Sequence, residues 1–257
     1  MQTIAIAQQK GGTGKSTTAH AIGAGLARQG KRVLFVDLDQ QCNLTFILGA
    51  DQSGATARDV LTGKATASKA RQQISGADTL PDIGGAAAII PGSPYLAGAD
   101  ATITGKLREY LLAEALKPIA GDYDYCILDT PPALGILTVN ALTAADRVII
   151  PCLPDVFSIQ ALGQIAETIA GIKANCNPGL ETAGVLITKY TPRQNLTRNT
   201  EEVLASAAAK IGTHLLKTRI RETVSLREAQ ALGKDIFTYS PRSAGAEDYN
   251  KLIQEIF

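Results

Sequence analysis

The sequence predicts an α/β fold: a mostly parallel, twisted sheet with helices on both faces. Three observations predict it. Short apolar runs of strand length alternate with longer segments of helical period along the chain. The runs are apolar throughout, as in strands buried on both faces, and do not alternate polar with apolar. The first run passes directly into a glycine-rich turn that opens a helical segment. With 257 residues, 45% of them hydrophobic, the chain is long enough to bury one large core, and it is read as a single domain over residues 1–257.

The elements follow in order. Thr3–Gln8 is a β-prone run, and Lys15–Gln29 a helix with apolar Ala19, Ile22, Leu26 and Ala27, stopped by Gly30. Val33–Val36 is a buried strand, and Cys126–Leu128, Val148–Ile150 and Gly184–Ile187 are runs of the same kind. Helical patterns lie around Thr104–Leu116, Ser158–Ala174 and Thr197–Ile211, and an amphipathic pattern closes the chain over Ala246–Phe257. The segment from Asp51 to Pro94, rich in Ala, Gly, Ser and Thr, is read as variable surface structure with a short helix near Ala57–Leu61. No internal repeat is visible.

The turn reads Gln9-Lys10-Gly11-Gly12-Thr13-Gly14-Lys15-Ser16-Thr17. The common phosphate-loop pattern GxxxxGK[ST] requires a glycine where Gln9 stands, so the match is to a variant, KGGxGK[ST], from Lys10 to Ser16. The physics is the same. Glycines let successive backbone N–H groups point inward as an anion nest, and the helix beginning near Lys15 adds its positive end. Lys15 is placed to reach β- and γ-phosphates, the Ser16 hydroxyl to ligate Mg²⁺, and Thr17 to contact an α-phosphate. Two further strand ends carry acids. Val33–Val36 runs into Asp37-Leu38-Asp39, whose carboxylates at i and i+2 point the same way. Tyr125–Leu128 runs into Asp129-Thr130-Pro131-Pro132, the Walker B arrangement. Acids at the C-terminal edge of a parallel sheet lie beside its ligand crevice.

The loop resembles the deviant Walker A loop of the ParA/MinD ATPases, and similarity to that family extends from Thr3 to the C-terminus. The resemblance implies ATP and Mg²⁺ as ligands, a weak ATPase activity, and a homodimer formed with ATP. It explains the extra lysine: Lys15 serves the subunit's own ATP, while Lys10 reaches the nucleotide held by the other subunit. The stretch Asp37-Leu38-Asp39-Gln40-Gln41-Cys42-Asn43 resembles the family's DxDPQGN, with Gln40 for the proline and Cys42 for the glycine. Asp39 then positions the attacking water, Asp37 and Asp129 help to hold hydrated Mg²⁺, and Thr188, Lys189, Arg221 and Thr223 fall in the adenine-contacting segments. The family commonly has Asn and Pro where Thr188 and Arg221 stand.

Leu226-Arg227-Glu228-Ala229, Gly233-Lys234 and Tyr239–Ala246 resemble the ParA/Soj branch. That branch implies non-specific DNA as a partner, a ParB-like centromere-binding or adaptor protein that stimulates hydrolysis, and a cytoplasmic, nucleoid-associated location. Net charge is +1 overall, but Lys189 to Arg242 contains ten Lys/Arg and five Asp/Glu, a local +5. Arg193 matches a DNA-contact position of the family; a second such position falls near Ser225, with Arg219 or Arg227 as its substitute. Two alternatives stand beside this reading. A membrane-cycling MinD-type ATPase is opposed by the net −2 of Ala246–Phe257, which anionic lipid repels. A small-molecule P-loop enzyme gains no support from any substrate motif. The phosphate loop begins at once, so no preceding helix-turn-helix is expected. Neither a signal peptide nor an apolar run of membrane-spanning length is read. The four cysteines, with no CxxC pair, read as reduced thiols.

Overall fold

A computed structural model of the chain describes residues 1–74, 87–191 and 195–257, with the side chains of 195–199 excluded. Strand β1 (Gln2–Ile6) leads through the glycine loop into α1 (Lys15–Arg28), then β2 (Val33–Asp37) and α2 (Asn43–Ile47). The segment expected to be variable surface holds α3 (Ala57–Leu61), α4 (Ala67–Ala70), β3 (Gln72–Gln73) and β4 (Ala87–Ile90). Helix α3 forms at the expected residues, closed by a capping box between Thr56 and Asp59. The surface reading is corrected at β4, all four residues of which are buried. A four-residue run of Ala and Ile is too short to show a period.

Next come α5 (Ala99–Thr102), α6 (Leu111–Leu116), β5 (Tyr125–Asp129), α7 (Ile136–Ala144), β6 (Arg147–Cys152) and α8 (Val156–Asn175). The helix expected over Thr104–Leu116 is shorter, because Gly105 (φ 104°) and Leu107 (φ 61°) take left-handed backbone that a right-handed helix cannot contain. Helix α7 was not read from the sequence. Ile136, Leu137, Asn140, Ala141 and Leu142 are all buried, so no polar stripe marks its period. The chain ends with β7 (Glu181–Tyr190), α9 (Asn195–Lys210), β8 (Leu215–Arg221), α10 (Val224–Ala231), α11 (Ile236–Tyr239) and α12 (Ala244–Ile256). Strand β8 was also missed. It is an edge strand that buries Leu216 and Ile220, and its Lys217, Arg219 and Arg221 disguise it as a charge cluster.

The eight strands form one sheet in the order β3-β4-β2-β5-β1-β6-β7-β8, parallel except for β3 against β4. Alternate strand residues feed two cores. Ala5, Leu34, Val36, Leu128 and Ile150 pack under α3 to α9. Ile4, Ile6, Phe35, Ile127 and Leu186 pack under α1, α2, α10, α11 and α12. Helix α1 lies unusually close to its neighbours. A Cβ built on Gly23 would stand 2.2 Å from the Phe35 ring, and one on Gly25 2.2 Å from Ile253. The order brings β2, β5 and β1 together, with Ile6, Asp37 and Asp129 in register at their C-terminal ends. The glycine loop and both acidic strand ends therefore meet at one edge.

Candidate functional site

The loop between β1 and α1 depends on two left-handed glycines, Gly12 (φ 72°) and Gly14 (φ 83°), a conformation that side chains with a Cβ strain to adopt. Gly14 occupies the N-cap of α1 and supplies no side-chain cap. The first backbone N–H groups of α1 consequently lack the partner that a Ser or Asp would provide, and they add to the helix's positive end. Polar contacts fasten the loop to the strands beneath it. The Thr188 hydroxyl on β7 donates to the Thr13 carbonyl at 2.8 Å, and Gln8 Nε2 donates to Cys152 Sγ at 3.2 Å.

Lys15 is 6% exposed. Removal from water pulls the pKa of its ammonium down, while the charges of Asp129 and Asp39 pull it back up. Asp129 is fully buried, and burial, with the Asp37 carboxylate beside it, drives its pKa well above the usual carboxylate range. Both of its oxygens lack a hydrogen-bond partner among the described residues; the Ser16 hydroxyl faces them without hydrogen-bond geometry. An orphaned buried carboxylate beside a hydroxyl at a phosphate loop has the donor set of a magnesium site. Asp37, also fully buried, is pushed up to about 6, chiefly by burial, and hydrogen bonds from Thr45 and Asp39 oppose the shift. The Asp39 carboxylate accepts the Gln41 N–H at 3.0 Å and lines the cavity in front of the loop. Cys42 takes φ 54°, which is where the similar family motif carries glycine.

That cavity, of about 620 Å³, runs from Gly11 and Lys15 past Asp39 to Thr188, Lys189, Arg221, Thr223 and Arg227. The structure thus gathers the expected nucleotide-site residues at this cavity except Lys10 and Thr13; of the expected acids, Asp39 lines it and Asp37 and Asp129 do not. Gln230 and Tyr249 also line it, and both were missed by sequence reading: Gln230 Nε2 donates to the Thr17 hydroxyl at 2.7 Å. Two residues expected at the base are otherwise engaged. The Thr188 hydroxyl serves the loop, as above. The Arg221 guanidinium faces α12, giving hydrogen bonds to Asp248 at 2.6 Å and Glu247 at 2.9 Å.

Lys10 lies outside the cavity. Its ammonium sits 2.5 Å from Asp155 Oδ2 and 5.8 Å from the centre of the Phe157 ring. Asp155 is the N-cap of α8, accepting the Ser158 N–H at 2.9 Å. Its position directly before the start of α8 at Val156 was a readable capping signal. Beside it Val156 and Phe157 are exposed, Phe157 at 71%. Of the residues expected to meet DNA, Arg193 lies outside the described residues. Arg219 is bound to Glu201 and to the Leu216 carbonyl. Arg227 is exposed at the cavity mouth.

Comparison with known proteins gives a consistent family. A family model described as an AAA domain matches residues 1–182. The chromosome partitioning protein ParA of Caulobacter vibrioides is 37% identical over 263 residues, covering 100% of this chain and 94% of that protein. The sporulation initiation inhibitor protein Soj of Bacillus subtilis is 39% identical over 256 residues, covering 98% and 97%. Among solved structures, a cobyrinic acid a,c-diamide synthase from Mycobacterium smegmatis with bound ADP and magnesium superposes with a TM-score of 0.82 at 34% identity, covering 99% of this chain and 93% of that one.

Proposed function

Since the chain belongs to the ParA/MinD family of P-loop ATPases, we propose that it is a partition ATPase of the ParA/Soj kind. It binds ATP with Mg²⁺, pairs with a second copy, holds DNA without regard to sequence, and lets go when a ParB-like centromere-binding or adaptor protein stimulates slow hydrolysis. The observation that carries this reading is the division between the two lysines. Lys15 is buried in the loop's cavity near Asp39 and Asp129, whereas Lys10 is partly exposed outside it, beside exposed Val156 and Phe157. A cation next to uncovered apolar side chains suits a contact with a second subunit.

The chain's own groups divide the work. Backbone N–H groups from Gly12 to Thr17 cradle the phosphates, and Lys15 neutralises their charge. Ser16 and the unpartnered oxygens of Asp129 are the groups fitted to hold Mg²⁺, which when bound supplies charge neutralisation at the phosphate oxygens. Asp39 orients water at the cavity's edge. Lys10 leaves Asp155 and brings its charge to the partner's nucleotide, which makes hydrolysis depend on dimerisation. Of the three arginines expected at DNA, the exposed Arg227 is the one free to make such a contact among the described residues; Arg219 is held by Glu201, and Arg193 lies outside them.

Filter binding on two unrelated duplexes over a salt series tests the proposal. A dimer that covers about four to six phosphates gives a slope of log K against log salt of about −4 to −5. Binding is expected with ATP, nearly absent with ADP, and alike on both sequences. Equal affinity with ATP and ADP would overturn the proposal. A small-molecule amide ligase is the second reading, favoured by the name of the 34%-identical mycobacterial structure. ATP turnover that requires an amide donor and a polycarboxylate acceptor, with no effect of DNA, would establish it instead. The MinD-type reading has less support. Helix α12 buries Tyr249, Leu252 and Ile253 against the core, which leaves its apolar face unavailable to lipid.

A further inference from the structure

Asp37 and Asp129 end adjacent strands in register, and both are buried, but their partners differ. Among the described residues Asp129 has no hydrogen-bond donor of good geometry on either oxygen, though the Ser16 hydroxyl faces it. Asp37 Oδ1 accepts the Asp39 N–H at 3.0 Å, and Oδ2 accepts both the N–H (2.9 Å) and the hydroxyl (2.7 Å) of Thr45. The Thr45 hydroxyl oxygen in turn accepts the Gly92 N–H at 2.8 Å, just past β4. Gly92 leaves no slack: a Cβ there would lie 3.0 Å from Asp37 Cγ and 3.2 Å from the Asp39 carbonyl.

The contacts have a local cause. Helix α2 begins after Cys42, whose side chain caps nothing, so a donor in its first turn would go unpaired. Asp37 supplies the missing acceptor from the preceding strand. A carboxylate has about four lone-pair sites, and three of those on Asp37 are taken by protein donors. On the ATPase reading above, which already gives the metal to Asp129, we infer that Asp37 and Thr45 are positioning residues that fix the backbone at Asp39 and the start of α2, and that Asp37 is not itself a group that holds the metal. Asp37 thus acts on the reaction through Asp39. Thr45, which no motif singled out, belongs to the same device.

The experiment compares the wild type with Asp37→Asn, Asp129→Asn, Thr45→Val, Thr45→Ser and Gly92→Ala. Mn²⁺ affinity of the ADP complex is read by paramagnetic resonance, and ATP turnover is separated into kcat and KM. Asp129→Asn is expected to weaken Mn²⁺ binding about tenfold or more. Asp37→Asn is expected to leave it within about threefold. Thr45→Val should lower kcat about 10- to 100-fold with KM little changed, and Thr45→Ser, which keeps the hydroxyl, should restore most of it. Should Asp37→Asn or Thr45→Val fail to fold, Gly92→Ala carries both measurements, because it crowds the same carboxylate: reduced kcat with unchanged Mn²⁺ affinity supports the inference. Loss of Mn²⁺ affinity in Asp37→Asn or Gly92→Ala as large as in Asp129→Asn overturns it, as does an unimpaired kcat in Thr45→Val. A wild type that binds no adenine nucleotide sinks the ATPase reading itself.

Discussion

Burial lowers the pKa of Lys15 and the nearby Asp129 and Asp39 oppose that shift, so the lysine sits at the phosphate loop where its removal should be felt in binding. Each charge-assisted hydrogen bond lost is worth roughly 1.5–3 kcal/mol, so Lys15→Ala is expected to weaken ATP at least about tenfold by calorimetry. Lys10 predicts a different pattern, because it does not line the cavity. Lys10→Ala should retain nucleotide binding by the monomer and fail to form the ATP dimer in light scattering; a normal dimer with normal turnover would remove its role. The phosphate loop was legible because its chemistry is local: glycines, lysine and serine act at fixed spacings within one turn. The pairing of Asp155 with Lys10 and the place of Gln230 were not, because each depends on a partner far along the chain; Thr45 was not, because no motif marks a threonine in the helical turn after the DxD. Lys10 meets Asp155 across 145 residues, and Gln230 meets Thr17 across 213. No spacing rule reaches that far.

Helix α1 carries two consequences of its tight packing. Its His20 is buried with Nε2 unpartnered, and desolvation lowers its pKa to about 4, against a weaker upward pull from Asp235. The unfolded chain therefore binds this proton first as pH falls. Stability from His20 is intact above about pH 6.5 and is lost between about 6.5 and 4, by roughly 3 kcal/mol in total. Urea melts across that range should show a shallower acid loss in His20→Leu than in the wild type, and parallel curves would refute the assignment. Gly23 faces the Phe35 ring, so Gly23→Ala should destabilise the fold by about 1–3 kcal/mol or more, seen as a lower Tm. Elements with a clean period, such as α1 and α8, were readable. Those governed by tertiary context were hidden: α7 because it is buried with no polar stripe, and β8 because an edge strand guards itself with cations.

On the scale of the whole molecule, the class of fold followed from alternation, but the strand order did not. The pairing of β2 with β5 and of β1 with β6 depends on crossovers that no local pattern encodes. The site follows from that order, since only β1 between β5 and β6 sets the loop beside Asp129. The crowding of α1 against Phe35 and Ile253 has a mechanical consequence. A cylinder wedged between a sheet and α12 has no room to slide or tilt, so the phosphate loop behaves as a stiff anvil. Since the start of α2 is pinned by Asp37 and Gly92, strain produced when the phosphate chain shortens is expected to be released at the head of α8, where Val156 and Phe157 are exposed. Amide hydrogen exchange should accordingly be slow and insensitive to ATP or ADP in β1 and α1. The segment 153–158 should change between the two nucleotides, which makes it the outward lever of an otherwise rigid engine.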